Sequence, residues 1–251
     1  MGRDRAWGTV YLVGAGPGDP ELLTLKGARL LSEADAVVYD ALISPELLAR
    51  VPEKAERWFA GKRGGEHYLP QDEINVLLVG LAARLDVIVR LKGGDPYLFG
   101  RGAEEQEHLV RHGVPVVTVP GVSSALAVPA SVGIPLTHRD HASMAVIATG
   151  HRREDQVSPH VDWGQLGRLP ATISVLMAMK NLDEVVAGLL EGGRSPGTGA
   201  ALIEWGTTER QRVTIATLES IVERARLARV APPAVLVIGD VVHIRQRLGY
   251  E

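Results

Sequence analysis

The feature that most constrains the fold is a glycine-rich turn between a strand and a helix at residues 86–110. The apolar alternation of DVIVRL (86–91) predicts a buried strand, and AEEQEHLV (103–110) predicts a helix. Between them stands GGD (93–95), followed by a proline and two further glycines. Consecutive glycines after a buried strand indicate a sharp bend, or backbone that a ligand approaches closely. This arrangement is typical of the ligand crevice at the carboxyl edge of an α/β sheet.

Strands and helices alternate along the first half of the chain. Its predicted strands are Thr9–Val13, Ala36–Tyr39, Arg57–Ala60, 86–91 and Val114–Val119. Helical spacing of apolar residues predicts further helices at Leu22–Ala34 and Gln71–Arg84. This alternation predicts a mostly parallel sheet with helices on its faces.

The second half has a different pattern. Its predicted strands are Ser143–Thr149, Thr172–Met179, Ala200–Trp205, Arg212–Leu218 and Ala234–Ile238. Polar and apolar residues alternate through Gln211–Thr217, which predicts a half-exposed strand with an antiparallel neighbour, and therefore a mixed sheet. We predict an α/β protein with two domains, an N-terminal domain at 1–120 and a C-terminal domain at 121–251.

Composition excludes several classes of function. The 251 residues carry 27 Lys and Arg against 30 Asp and Glu, a net charge of −3, so no overall positive field predicts a nucleic-acid partner. The absence of cysteine excludes disulfides, thiolate metal sites and cysteine nucleophiles. His108 and His112 in HLVRH lack the glutamate of a zinc-protease helix, so we expect no metal. No apolar run approaches the roughly 18 residues of a membrane helix, so we expect a cytoplasmic protein without a membrane partner.

The loop GAGPGD at 14–19 bears on the kind of cofactor. Its first two glycines fit the dinucleotide fingerprint GxGxxG, but the third comes one position early at Gly18, and Asp19 would repel a phosphate. The loop therefore favours a ligand less anionic than a dinucleotide. Asp40, after the second predicted strand, still matches the acid that holds the ribose of NAD, so an NAD-dependent oxidoreductase stays an alternative.

Segments from nearly the whole chain together resemble the tetrapyrrole methylases, a family of S-adenosylmethionine-dependent enzymes. They are GAGPGDPELLTLKG (14–27), VVYD (37–40), GKR (61–63), RLKGGDPYLFGRGAEE (90–105), VPGVSSALA (119–127), GIPLTHRD (133–140) and IEWGTTERQR (203–212). GGDP and the proline–glycine loops are common to the family. GKR, FGRGAEE and PLTHRD in register resemble the members that methylate uroporphyrinogen III.

The resemblance implies a fold, a reaction and partners. The implied fold is two α/β domains of the tetrapyrrole methylase (class III methyltransferase) type, with the cofactor in the cleft between them, usually in a homodimer. The implied reaction takes methyl groups from S-adenosylmethionine, leaving S-adenosylhomocysteine, and uses no metal. It methylates C2 and C7 of uroporphyrinogen III to give precorrin-2, for sirohaem or cobalamin. Alternatives are a methylase of another precorrin, of a diphthine intermediate or of ribosomal RNA, the last disfavoured by the net charge.

The resemblance also assigns cofactor contacts. S-adenosylmethionine is a sulfonium cation without phosphates, so acids and bare backbone suit it better than a phosphate cradle does. The family's cofactor positions fall here on Pro17, Gly93, Gly94, Asp95, Leu98, Ser123, Ser124, Met177, Ala201 and Gly206.

The motifs of the family indicate the catalytic residues, and the charge of the chain indicates the substrate-binding ones. Asp40 and Lys62 match family positions assigned as proton acceptor and proton donor, roles that methylation of a pyrrole carbon requires. Because the net charge is negative, positive charge for the substrate's carboxylates must be local. Arginine pairs with a carboxylate through two parallel hydrogen bonds, and the candidates are Arg63, Arg101 and Arg139.

Overall fold

The structure, a computed structural model, describes residues 6–61, 69–151 and 160–250. The chain divides into two units, Met1–Ser123 and Ser124–Glu251. Each unit is built around one five-stranded sheet with helices packed on it. The predicted α/β class is therefore confirmed.

The first unit alternates strand and helix, as its sequence pattern predicts. In chain order its elements are β1 (Thr9–Gly14), α1 (Leu25–Glu33), β2 (Ala36–Tyr39), α2 (Pro45–Leu48), β3 (Glu56–Phe59), α3 (Gln71–Ala82), β4 (Val87–Lys92), α4 (Gly102–Arg111) and β5 (Val116–Val119). The strands lie in the order β3-β2-β4-β1-β5, and every neighbouring pair is parallel. All five strands therefore end at the same edge of the sheet.

Helices cover both faces of this sheet, which explains the nearly continuous apolar runs of its central strands. Helices α1 and α2 pack on one face, where they share a core with Val89 and Leu91 of β4. Helices α3 and α4 pack on the other face, over Ile88. Successive side chains of a strand point to opposite faces, so Arg90 and Lys92 also point toward α3 and α4.

Helix α1 begins at Leu25 rather than at Leu22, where the apolar spacing predicts its start. Thr24 caps it, because its hydroxyl accepts a hydrogen bond from the Gly27 N–H at 3.1 Å. Leu31 is fully buried under the sheet, whereas Leu25 at the first helical position is 92% exposed. The helix therefore stabilises the unit through one face only.

The second unit contains a mixed sheet, as predicted. Its elements are α5 (Ser124–Ser131), β6 (Ala145–Thr149), α6 (Trp163–Gly167), β7 (Thr172–Leu176), α7 (Leu182–Glu191), β8 (Gly199–Glu204), β9 (Arg212–Thr217), α8 (Ile221–Leu227), β10 (Ala234–Ile238) and α9 (Ile244–Arg247). The order is β6-β7-β10-β8-β9, with β6 and β7 parallel and the other neighbours antiparallel. The half-exposed strand β9 pairs antiparallel with β8, which confirms the prediction from its alternation.

The two ends of α1 offer a matched test of the first core. We expect Leu31→Ala to lower the free energy of unfolding by about 2–5 kcal/mol, because it leaves a cavity under the sheet. Leu25→Ala should change it by less than about 0.5 kcal/mol, because that side chain is already in water. Urea unfolding followed by circular dichroism measures both. Similar losses in the two variants would contradict the packing described here.

Candidate functional site

Three neighbouring strand ends meet at the carboxyl edge of the first sheet. Strand β1 lies between β4 and β5, so the loops that follow these three strands are adjacent. Open α/β sheets bind ligands at this edge, where the order of the strands reverses. The glycine loop after β4, from which the sequence predicts the site, lies here.

Glycine is required at this junction by the protein's own backbone. A Cβ on Gly14 would lie 2.6 Å from the carbonyl oxygen of Gly94, and a Cβ on Gly121 would overlap that same oxygen. Gly94 donates to the Gly16 carbonyl at 2.8 Å and accepts from the Gly16 N–H at 3.2 Å. Gly94 also has a φ of +66°, which side chains rarely adopt. The conformation of this glycine therefore follows from the packing of the loops.

Gly93 is different. Among the described residues, a Cβ there would meet only the Cβ of Leu42, at 3.8 Å, and the residue is exposed. Packing within the described part of the chain therefore does not require the lack of a side chain at Gly93. It leaves bare backbone facing open space, which is the feature a ligand-binding loop needs.

The carboxylate of Asp95 binds backbone of its own chain. One oxygen accepts from the N–H groups of Tyr97 at 2.8 Å and Leu98 at 3.2 Å, and the other accepts from the Gly121 N–H at 3.0 Å. Asp95 thus joins the loop after β4 to the loop after β5. Its role as a direct cofactor contact, like that of Leu98, stays a prediction.

A buried cluster of charged side chains lies behind these loops, between the sheet and α4. Arg90 donates to Asp40 at 2.7 Å and to Glu105 at 3.2 Å, and Lys92 donates to the same Glu105 oxygen at 2.8 Å. Gln71 supplies a third bond to that oxygen, at 3.1 Å. Arg90, Lys92 and Glu105 are buried, whereas the Asp40 side chain is 32% exposed. We call these four charged residues the Arg90 cluster.

In the Arg90 cluster, neighbouring charges oppose the effect of burial on the pKa of Arg90 and on that of Glu105. Burial would lower the pKa of Arg90, but Glu105 and Asp40 together raise it. Burial would raise the pKa of Glu105, but Arg90 and Lys92 together lower it. For Lys92, burial and the charge of Arg90 lower the pKa despite the attraction of Glu105. Glu105 therefore depends on Arg90 and Lys92 to stay ionised.

The other predicted site residues of the first unit differ in their contacts and in their burial. Lys62 and Arg63 lie outside the described residues. The Arg101 guanidinium is bound by Glu104 at 2.6 Å, and both side chains are about half exposed. Pro17 is half-buried in the loop after β1, and Ser123 is buried.

Two of the predicted cofactor residues of the second unit, Met177 and Gly206, follow the ends of β7 and β8. The structure corrects the predicted strand 172–179: β7 ends at Leu176, and Met177 is 48% exposed with a φ of +55°. Strands β7 and β8 both pair antiparallel with β10, so these two ends lie at one edge. Beyond β8, a Cβ on Gly206 would lie 2.7 Å from Cγ2 of Val128.

The remaining three predicted site residues of the second unit lie in the core, at the start of α5 and in a turn. Ala201 is fully buried in the core beside α5, and Ser124 begins α5. Arg139 is exposed in the tight turn between His138 and Ala142.

Neither a cluster of metal ligands nor a membrane-spanning helix is found within residues 6–61, 69–151 and 160–250. These ranges contain no group of three or more potential metal ligands. The rings of His108 and His112 stack at 4.4 Å instead. No helix in these ranges is long and apolar enough to span a membrane.

The family follows from comparison with known proteins. Residues 9–222 match the model of the tetrapyrrole (corrin/porphyrin) methylases. The chain belongs to this family. The match confirms the resemblance that the glycine loops and GGDP predict.

Individual members of the family narrow the comparison. This tetrapyrrole methylase is 47% identical to the S-adenosyl-L-methionine-dependent uroporphyrinogen III methyltransferase of Methanosarcina barkeri, over 97% of the chain and 95% of that protein. It is 46% identical to the siroheme synthase of Methylococcus capsulatus, over 98% of the chain but 52% of that protein. The chain thus spans about half the length of the siroheme synthases it matches.

A solved structure has the same fold. The uroporphyrin-III C-methyl transferase of Thermus thermophilus, in complex with S-adenosylhomocysteine, is 42% identical to this tetrapyrrole methylase. It superimposes with a TM-score of 0.81, and the alignment covers 94% of each chain.

Sequence reasoning missed the Arg90 cluster. Its signal was present, because Arg90 and Lys92 interrupt an otherwise apolar strand at alternate positions and so share a face of the sheet. A buried charge needs a counter-charge nearby. Glu105 could not be chosen from the other acids of α4 by spacing alone.

Substitution at two glycines distinguishes packing from open space in this tetrapyrrole methylase. We expect Gly121→Ala to lower the free energy of unfolding by about 1–3 kcal/mol, because the added carbon overlaps the Gly94 carbonyl. Gly93→Ala should leave the stability unchanged or raise it by up to about 1 kcal/mol, because its carbon has room. Thermal and urea unfolding of the two variants measure the difference. A larger loss for Gly93→Ala would contradict the geometry of the loop.

Proposed function

We propose that the chain transfers methyl groups from S-adenosylmethionine to C2 and C7 of uroporphyrinogen III, giving precorrin-2 for sirohaem or cobalamin synthesis. The observation that carries this proposal is the 47% identity to the Methanosarcina barkeri enzyme, which is named a uroporphyrinogen III methyltransferase and is matched over 95% of its length. The half-length match to siroheme synthases fits the same substrate.

The described residues fit S-adenosylmethionine at the glycine loops. Gly93 leaves bare backbone where a Cβ would have room, and Asp95 holds that loop through its hydrogen bonds to Tyr97, Leu98 and Gly121. No phosphate has to be accommodated, which agrees with the interrupted dinucleotide fingerprint at 14–19. When bound, the cofactor supplies an electrophilic methyl group on its sulfonium. Proposed contacts are Pro17, Gly93, Gly94, Asp95, Leu98, Ser123, Ser124, Met177, Ala201 and Gly206.

Asp40 is the proposed proton acceptor. Methylation of a pyrrole carbon requires that the ring system lose a proton, and a carboxylate at the sheet edge can take it. The Asp40 side chain is partly exposed, while Arg90 holds one of its oxygens at 2.7 Å. Its carboxylate is thus both accessible and oriented. Lys62 remains the predicted proton donor.

Arginines are proposed to bind the carboxylates of the substrate. Arg139 lies exposed at a turn, where its guanidinium can reach an external carboxylate. The guanidinium of Arg101 already binds Glu104, so a substrate carboxylate would have to share it or displace that pair. Arg63 is the third candidate.

The proposal extends to the state of the protein in the cell. We propose a cytoplasmic homodimer whose partner is the small tetrapyrrole, without nucleic acid or membrane. Sedimentation of the purified chain tests the dimer.

Enzyme assay tests the proposed reaction directly. The full chain is incubated with S-adenosylmethionine and uroporphyrinogen III without oxygen, and the products are analysed by mass. We expect a tetrapyrrole heavier by two methyl groups, together with S-adenosylhomocysteine. Binding of S-adenosylhomocysteine without any methylated product would indicate a family member that acts on another substrate. Stabilisation by NAD rather than by S-adenosylhomocysteine would contradict the proposal.

A branched side chain at Gly93 tests the cofactor position. Gly93→Val is the informative variant, because a side chain at Gly94 would also strain a backbone of positive φ. We expect no detectable heat of S-adenosylhomocysteine binding in calorimetry, because the side chain fills the space before the loop. The melting temperature without ligand should be unchanged. Gly80→Val, on the exposed side of α3, is the control and should retain the affinity. Wild-type affinity in Gly93→Val would remove this loop from the site.

A further inference from the structure

We propose that Glu105 is a positioning residue that, acting through Arg90, fixes the carboxylate of Asp40 at the edge of the first sheet. The inference rests on the proposed function, in which Asp40 accepts a proton. Glu105 does not touch Asp40. The two carboxylates are joined by the guanidinium between them.

Glu105 is the fixed point of this arrangement. It is fully buried on α4, and one of its oxygens accepts from Gln71 of α3 and from Arg90 and Lys92 of β4. Donors from two further elements therefore hold the carboxylate in place. Its other oxygen is buried and has no hydrogen-bond partner among the described residues.

Arg90 connects Glu105 to the edge of the sheet. Its Nε binds Glu105 at 3.2 Å and a terminal nitrogen binds Asp40 at 2.7 Å, whereas its two backbone contacts are long, at 3.4 Å. A planar guanidinium bound at both ends cannot rotate without breaking one charged bond. Asp40 itself follows β2 and is partly exposed, so this bond limits the orientations of its carboxylate.

Stability alone gives no reason for such a cluster. Ionised groups lose hydration on burial, and apolar replacements of buried ion pairs are often as stable or more so. The Glu105 oxygen that has no hydrogen-bond partner in the described part of the chain adds to this cost. Burial of the cluster costs free energy, and one end of the cluster contacts the proposed proton acceptor. Orientation of that acceptor therefore explains the cluster better than stability does.

A double-mutant cycle on the full chain tests the role. Glu105→Gln keeps the shape of the side chain but removes the charge that holds Arg90. We expect kcat to fall by about 10- to 100-fold, as small misplacements of catalytic groups do, while the KM for uroporphyrinogen III changes by less than about twofold. The affinity for S-adenosylhomocysteine should also stay within about twofold. In the Asp40→Asn background the same substitution should lower kcat by less than about threefold, because the group it positions is already lost.

Two further variants make the result decisive. Glu107→Gln removes an exposed carboxylate from the same helix and should leave kcat unchanged. Arg90→Lys keeps the buried charge but cannot bridge both carboxylates, so it should reproduce the loss in kcat and its disappearance in Asp40→Asn. If Glu105→Gln folds poorly, the kcat of Arg90→Lys, with and without Asp40→Asn, tests the positioning role.

Two results would overturn the positioning role. One is a kcat for Glu105→Gln within twofold of wild type; the other is an equal fold-loss with and without Asp40, which marks a merely structural residue. Failure of the proposed function would appear in the wild-type chain, as the absence of methylated product. Failure of the positioning role would appear only in the variants.

Discussion

The first unit depends on the close approach of three strand ends. Gly14 and Gly121 pack against the backbone of Gly94, at distances that leave no room for a Cβ on either of them. Because β4, β1 and β5 are parallel neighbours, their loops must leave the sheet side by side, and side chains at these positions would force them apart. Asp95 then joins the outer two loops through the Gly121 N–H. This edge of the sheet is therefore a surface of ordered backbone, and Gly93 is exposed on it.

The Arg90 cluster connects this edge to the core. The same alternation that buries Val89 and Leu91 under α1 and α2 sends Arg90 and Lys92 to the opposite face, where α4 supplies Glu105. A strand that contributes to the hydrophobic core thus also carries the charges behind the site. The partly exposed end of the cluster is Asp40, the proposed proton acceptor.

Much of the architecture could be predicted because it follows from local patterns. Apolar periodicity located β1, β2, β4 and α3 to within a few residues, and the alternation in 211–217 identified a half-exposed antiparallel strand. The wrongly predicted start of α1 and end of β7 also have local causes. The capping of α1 by Thr24 moved that helix start, and the left-handed backbone of Met177 ended β7 before the apolar pattern did.

The sequence by itself determined the family, the fold class and the segments that form the candidate site, because glycine spacing and apolar periodicity are local properties of the chain. Only the tertiary structure decided what the individual groups do. It showed that the Asp95 carboxylate binds backbone N–H groups, that Gly14 and Gly121 are required by packing whereas Gly93 is exposed, and that Glu105 and Asp40 share Arg90. These roles depend on contacts between residues far apart in the chain, and such contacts leave no periodic trace in the sequence.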